Sequence, residues 1–360
     1  KIKLNSNNDI YSIKDLTNIK DYLKIPHDSD LKVMGDCGAF SYVDREEPPL
    51  PYYSIENISK IYNKLGFDYG VSVDHLAVDY ILEKDKQDGI RKKRYLTEIE
   101  KENRVRITTT NAEAFLRYHQ RKQFSFVPIG VAQGYNIASY IDSVEALVNM
   151  GYEYIGIGGL VQYKSEFIIN ILKEIKPHTK GVKLHLFGIL RPKYLKEFEG
   201  LGVHSFDSAS FLRKAWLKSR QNYLSLDGQW YSAIRIPQSS NPRIIKNAEL
   251  NGYSLQDLQR MEKKALKALL QYDAGMLSLD QTLNTVLKYD NLLLRGHSDV
   301  KNLRPPYTRT LIDKPWKKCS CALCKTLGIQ IIIFRGANRN KRRGFHNIWA
   351  FRELYYKDKD

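Results

Sequence analysis

Long apolar runs are missing from this sequence: no 18 consecutive apolar residues occur, so a membrane-spanning helix is not expected. A secretory leader is not expected either, because the opening KIKLNSNNDI has no apolar core region. Cysteine is scarce, with four in the whole chain and no disulfide pattern. That usage fits a reducing compartment, so the expected location is cytoplasmic. No Gly-x-Gly-x-x-Gly follows the first strand-like run, which argues against a dinucleotide-binding sheet. Acidic residues are absent from Arg335 to Arg352, a stretch that reads RGANRNKRRGFHNIWAFR.

Basic residues are plentiful. Lys+Arg 57 against Asp+Glu 40 gives a formal charge of +17. Such an excess fits a polyanionic partner, most simply nucleic acid, although a Lys-rich proteome would produce it too. Hydrophobic content of 42% and aromatic content of 11% are globular values. Three of the four cysteines form Cys319-x-Cys321-x-x-Cys324, and His346 follows. Three thiolates and one imidazole complete a tetrahedral Zn²⁺ shell with no position left for substrate, so the zinc is expected to be structural. The alternative is a cluster of buried thiols or a disulfide.

Up to Asp207 the chain repeats one rhythm. Apolar runs at 31–40, 67–74, 124–133, 152–160, 182–188 and 202–207 read as strands. Helical patterns at 55–66, 91–122, 137–150, 164–176 and 193–200 separate them, with residues 91–122 read as mostly helical and basic. Alternation of this kind implies a parallel sheet with right-handed crossovers, and the expected fold class is an α/β (β/α)8 TIM-like barrel, variant at its first strands. Function then collects at the C-terminal strand ends, where Asp36, Asp74, Gln133, Gly158, Gly159 and Asp207 fall. Asp36 and Asp207 are candidates to divide nucleophilic and proton-transfer work at a glycosidic carbon, or else cap helices and hold loops. Asp74 and Gln133, beside the Gly158-Gly159 backbone, could read the edge of a purine-like base, or serve as ordinary loop caps.

After Asp207 the rhythm breaks. A basic helix is expected at 209–222, then a hairpin turning at Asp227-Gly228, then an αα-hairpin opened by Ser254 and by a Ser278/Gln281 capping box. The domain reading is therefore 1–208 as barrel, 209–310 as a mainly helical insertion, and 311–360 as a zinc-binding segment and basic element completing the barrel. In the last part Arg335, Arg339, Lys341, Arg342 and Arg343 are candidates to track phosphates, or a solvated face.

The ordered set Gly35-Asp36-x-Gly38-x-Phe40, Val73-Asp74, Gln133-Gly134, Gly158-Gly159-Leu160, Phe187-Gly188 and Phe206-Asp207, followed by the Cys₃His pattern, resembles the tRNA-guanine transglycosylase superfamily. The resemblance covers about residues 31–352 and implies a zinc-containing (β/α)8 barrel that exchanges guanine for a 7-deazaguanine. It implies Asp207 as nucleophile and Asp36 as general acid/base. Asp74, Gln133, Gly158, Gly159 and Leu160 would then hold the base, with Phe187 against its face.

The chain departs from the tRNA enzymes in three places. Asp207 is followed by Ser-Ala-Ser-Phe-Leu-Arg, 111 residues separate it from Cys319, and little chain precedes Leu31 to supply two earlier strands. Residues 1–4 are the candidate for one of those strands. With MGDCGAF, GVSVDH and SFDS, these departures look like the DNA-modifying, DpdA-type branch, which inserts 7-cyano-7-deazaguanine into DNA in bacterial modification clusters and phages. The implied partners are DNA, guanine and 7-cyano-7-deazaguanine, with a partner ATPase or a homodimer as further candidates. A tRNA transglycosylase and a non-catalytic zinc-containing nucleic-acid-binding subunit are the competing readings.

Overall fold

A computed structural model describes residues 16–26, 28–84, 91–217, 220–292 and 302–357. Residues 1–4, the candidate for an extra first strand, lie outside the described residues. The chain divides into two units, Lys1–Ser208 and Ala209–Asp360.

The first unit opens with α1 (Ile19–Tyr22), β1 (Met34–Gly35), α2 (Ile55–Lys64) and β2 (Tyr69–Val71). Then come β3 (Tyr80–Lys84), β4 (Arg91–Tyr95), α3 (Glu98–Lys122), β5 (Val127–Ala132), α4 (Ile137–Met150) and β6 (Tyr154–Ile157). It closes with α5 (Ser165–Ile175), β7 (Lys183–Leu186), α6 (Leu195–Gly200) and β8 (Val203–Phe206). Six strands pair in the order β1-β2-β5-β6-β7-β8, each parallel to its neighbour. The α/β class with a parallel sheet is as expected, and six of its strands are in the described residues.

One side chain reveals that the sheet is curved. Tyr154 of β6 meets the Tyr69 ring of β2 at 5.8 Å and reaches Ser205 Oγ of β8 at 2.5 Å. Strands two apart in a flat sheet are roughly 9.5 Å apart, so a single tyrosine reaches both only from a concave face. Val71, Ile129, Val131 and Tyr154 fill that face, joined by Met34, Tyr69 and Phe187. The outer layer packs helices against the sheet through Ile58, Tyr62, Phe115 and Phe126.

Residues 91–95 correct the sequence reading. They are not the start of a helix but the second strand of an antiparallel hairpin with β3, paired from Tyr80↔Tyr95 to Lys84↔Arg91. The reason is a capping box downstream: Glu100 N–H donates to Thr97 Oγ1, and Thr97 N–H donates to the Glu100 carboxylate. That box fixes the start of α3 at Glu98 and leaves 91–95 free to pair.

The second unit contains α7 (Ser210–Leu217), β9 (Tyr223–Leu224), β10 (Trp230–Tyr231), β11 (Ile234–Arg235), α8 (Pro242–Glu249) and α9 (Leu255–Asp273). It continues with α10 (Leu279–Asn291), α11 (Arg304–Asp313), α12 (Ala322–Leu327), β12 (Ile333–Phe334) and α13 (Gly336–Lys357). β9 and β10 form the hairpin read from Asp227-Gly228, with Gly228 at φ 80°. Ser254 and Ser278 cap α9 and α10 as their sequence signals required. One apolar core runs through this unit from Tyr223 to Ile333 and takes in all three clustered cysteines.

Candidate active site and metal centre

All six sheet strands end at a position singled out from sequence. Asp36 follows β1, Asp74 lies three residues past β2, and Gln133 follows β5. Gly158 follows β6, Phe187 follows β7, and Asp207 follows β8. Because the strands are parallel, these residues share one rim of the sheet.

At the centre of the rim sits a buried polar pair. Gln133 Nε2 donates to the Asp74 carboxylate at 2.6 Å, and the Cys37 thiol donates to its other oxygen at 3.0 Å. Asp74 is 5% exposed and Gln133 1%. Burial pushes the Asp74 carboxyl up to about 6; the Cys37 and Gln133 hydrogen bonds oppose it, and the nearby Asp36 charge adds to it. Burial also pushes the Cys37 thiol well up, which keeps it an S–H donor.

The glycine turn after β6 lies flat against this pair. A Cβ on Gly158 would collide with Gln133 Nε2, and Gly159 has φ +75°. Tyr140 donates its hydroxyl to the Gly158 carbonyl at 2.8 Å, and Leu160 is fully buried. A Cβ on Gly156 would run into the Phe187 ring, so that ring lies directly over β6. Only glycine permits such approaches.

The two other carboxylates are exposed. Asp36 Oδ1 accepts from Gly38 N–H at 3.1 Å. Asp207, 59% exposed at its side chain, accepts from Gly188 N–H at 2.7 Å and faces His185 Nε2 at 3.5 Å. Behind it runs a polar chain: His185 Nδ1 meets Ser205 Oγ at 2.5 Å, and Ser205 Oγ meets the Tyr154 hydroxyl at 2.5 Å. An exposed carboxylate oriented by a backbone N–H is placed to act as a nucleophile. A buried carboxylate–amide pair beside bare backbone can bind the edge of a flat polar ring.

In the second unit, Cys319, Cys321, Cys324 and His346 present four ligand atoms within 4.8 Å of one another, all buried. The three Sγ atoms lie 3.8, 3.4 and 3.5 Å from His346 Nδ1. A tetrahedral ion with bonds of about 2.3 Å to sulfur and about 2.0 Å to nitrogen would set that spacing at about 3.5 Å. The set could therefore hold a metal ion. His346 Nε2 meets the Leu224 carbonyl at 2.7 Å, which assigns its proton there and leaves Nδ1 as the ligand atom. The Tyr223 ring stacks on the imidazole at 4.1 Å, and its hydroxyl meets Cys324 Sγ at 3.2 Å.

Residues 88–232 match the family described as queuine tRNA-ribosyltransferase. A DNA-guanine transglycosylase of Salmonella montevideo is 42% identical over 333 residues, which is 92% of this chain and 76% of that protein. The chain belongs to the tRNA-guanine transglycosylase superfamily. It is accordingly a pentosyltransferase, an enzyme that breaks and remakes the bond between a pentose and a base.

The basic candidates of this transglycosylase fare unequally. Arg343 is wholly buried and donates to the carbonyls of Ile331, Ile333 and Ala215 and to Asn340 Oδ1, so it braces the core and cannot track phosphates. Burial lowers its guanidinium to about 9. Arg335 is paired with Glu262, and Arg339 donates to Gln330. Lys341 and Arg342 are exposed. The periodicity of α13 carried this signal: Arg343, His346, Asn347 and Ala350 form one inward stripe at helical spacing. Residues 183–188 (KLHLFG) likewise placed His185 on the inward alternation of its strand with Phe187, a position open to reading from period two.

Proposed function

We propose that this transglycosylase exchanges guanine in DNA for a 7-deazaguanine, 7-cyano-7-deazaguanine, by two successive displacements. The observation that carries the chemistry is the shared rim, where an exposed Asp207 and the buried Asp74–Gln133 pair follow strands of one sheet. The named relative supports DNA as the polymer.

Asp207 attacks C1′ of the target nucleoside, the C1′–N9 bond breaks, and a covalent glycosyl-enzyme forms. Asp36 gives its proton to the leaving guanine and then takes the N9 proton of the incoming base, whose nitrogen attacks C1′ and releases Asp207. Two inversions leave the anomeric configuration unchanged. Asp74 accepts the donor N–H groups of the guanine edge, held in place by Gln133. The backbone N–H groups at Gly159 and Leu160 serve O6, the Gly158 backbone lies along the ring edge, and Phe187 packs on the ring. The target base leaves the helix stack first, at a cost of a few kcal/mol. The four-ligand cluster holds a structural zinc. A (β/α)8 barrel, with two strands beyond the six described, is the architecture this reading implies.

The deciding measurement is transfer of labelled guanine or 7-cyano-7-deazaguanine into duplex DNA and into bulk tRNA. Label in DNA supports the reading. Label in tRNA alone replaces it with a tRNA transglycosylase, and label in neither leaves the non-catalytic subunit.

Two expected results concern the base pocket. Gly158→Ala drives a methyl into Gln133 Nε2 and breaks the Gln133–Asp74 bond. Losing a charge-assisted bond costs about 1.5–3 kcal/mol, so KM for the base should rise roughly ten- to a hundredfold, read by steady-state kinetics. Asp74, with its carboxyl raised to about 6, loses its acceptor role below that pH. KM for guanine should therefore climb as pH falls through about 6, and a flat KM between about pH 5 and about pH 8 would exclude the role. The same shift acts on stability with the opposite sense. Native Asp74 keeps its proton to about 6 while an unfolded carboxyl loses it near 4, so the contribution declines as pH rises through that window.

A further inference from the structure

The β3–β4 hairpin is used by none of the chemistry above, and its two faces differ. Ile81 and Arg94 are paired on the inner face, where Ile81 is 2% exposed and Arg94 is clamped by Glu83 at 2.6 Å and Glu100 at 2.7 Å. Strand alternation puts Tyr80, Leu82, Arg91, Lys93 and Tyr95 on the opposite face. Tyr95 is 67% exposed and Leu82 51%. Lys93 Nζ sits 4.0 Å over the Tyr80 ring, whose centroid is 5.9 Å from that of Tyr95. The outer face thus interleaves two cations with two aromatic rings, and no acid is among these five residues.

The hairpin is also tied to the candidate pocket. Gln162 lies two residues after Leu160, donates Nε2 to the Tyr80 carbonyl at 2.9 Å and accepts from Asp79 N–H at 3.2 Å. Lys101 fixes the same junction by its 2.8 Å ion pair with Asp79. The turn that carries Gly158 and Gly159 and the root of the hairpin are therefore bonded to each other.

We infer that the outer face of this hairpin is a DNA-binding surface beside the reacting nucleotide, with Arg91 and Lys93 on phosphates and Tyr95 stacked on a neighbouring base. This rests on the DNA reading of the function. Rings with interleaved cations are the means by which proteins hold a locally unpaired strand: rings take base faces and cations take phosphates, without sequence readout. Extruding the target base leaves its neighbours unstacked, and an exposed ring at the pocket margin supplies a replacement surface.

The test is fluorescence anisotropy of a labelled DNA duplex with the full chain, repeated over a range of salt. Arg91→Ala/Lys93→Ala should bind at least tenfold more weakly, and its slope of log K against log salt should shrink by about 2, one for each phosphate no longer neutralised. Tyr95→Ser should bind roughly tenfold more weakly with the slope unchanged, because stacking releases no counterion. Thermal melts of these surface variants should match the wild type. Wild-type affinity and slope in both variants would overturn the hairpin claim while base exchange into DNA by the wild type upheld the function. A wild type that neither binds DNA nor labels it would overturn both.

Discussion

Asp207→Ala should abolish base exchange, lowering kcat by at least about 10⁴-fold, while the protein stays folded. The magnitude follows from the role: without a nucleophile the double displacement has no first step, and residual turnover comes only from binding and orientation. Retention of the fold follows from the environment. The side chain is 59% exposed, so truncation opens no cavity, and water can serve the Gly188 N–H that Asp207 accepts from. A stability change within about 1 kcal/mol is expected. A covalent protein–DNA species, caught by denaturing gel when wild-type enzyme meets DNA, should be missing from this variant. Asp36→Asn should behave differently, because it keeps the nucleophile and removes the proton donor. Its loss should be partial, about 10²–10⁴-fold, and smaller for a base analogue that leaves without protonation. If Asp207→Ala kept wild-type exchange, the nucleophile would lie elsewhere and the rim would be a binding site alone.

The rim was legible because a parallel α/β sheet leaves a repeated mark. Each apolar run was followed by a polar or glycine position, and Asp36, Gln133, Gly158, Phe187 and Asp207 all stand immediately after a strand. Side-chain partners were less legible, because they depend on neighbours distant in sequence. That Cys37 would donate to Asp74, or that Ser205 would join His185 to Tyr154, needed the strand order and the curvature of the sheet. Arg343 was misjudged for a related reason. A charge run read as linear sequence hides the helical period, which sends one arginine inward among carbonyls while Lys341 and Arg342 face solvent. The 91–95 strand was missed although the Thr97/Glu100 cap that ends it stood in the sequence. Basic composition outweighed a local stop signal that carried more structural information.

Cys321→Ser, or exhaustive chelation, should strip a metal from the second unit and destabilise it by several kcal/mol. One zinc per chain is expected by elemental mass spectrometry of the wild type. The four ligand atoms lie inside the unit's apolar core, in which Cys319, Cys321 and Cys324 pack with Tyr223, Trp316 and Ile329. Thiolates without an ion would be buried charges repelling one another, and as neutral thiols they would leave a polar void where the bonds had been. The cost should fall below the full binding energy of a small zinc peptide, because the core around the ligands also buries Leu258, Leu269, Leu283 and Val286, which pack without an ion. His346→Gln should be severe as well, since it removes the ligand atom, the stacking on Tyr223 and the hydrogen bond to Leu224 together. Differential scanning calorimetry with and without chelator separates the alternatives. A metal-free wild type with unchanged melting would mean that the cluster is only buried thiols, while a fall of several degrees reversed by added zinc would establish the ion as part of the folding energy.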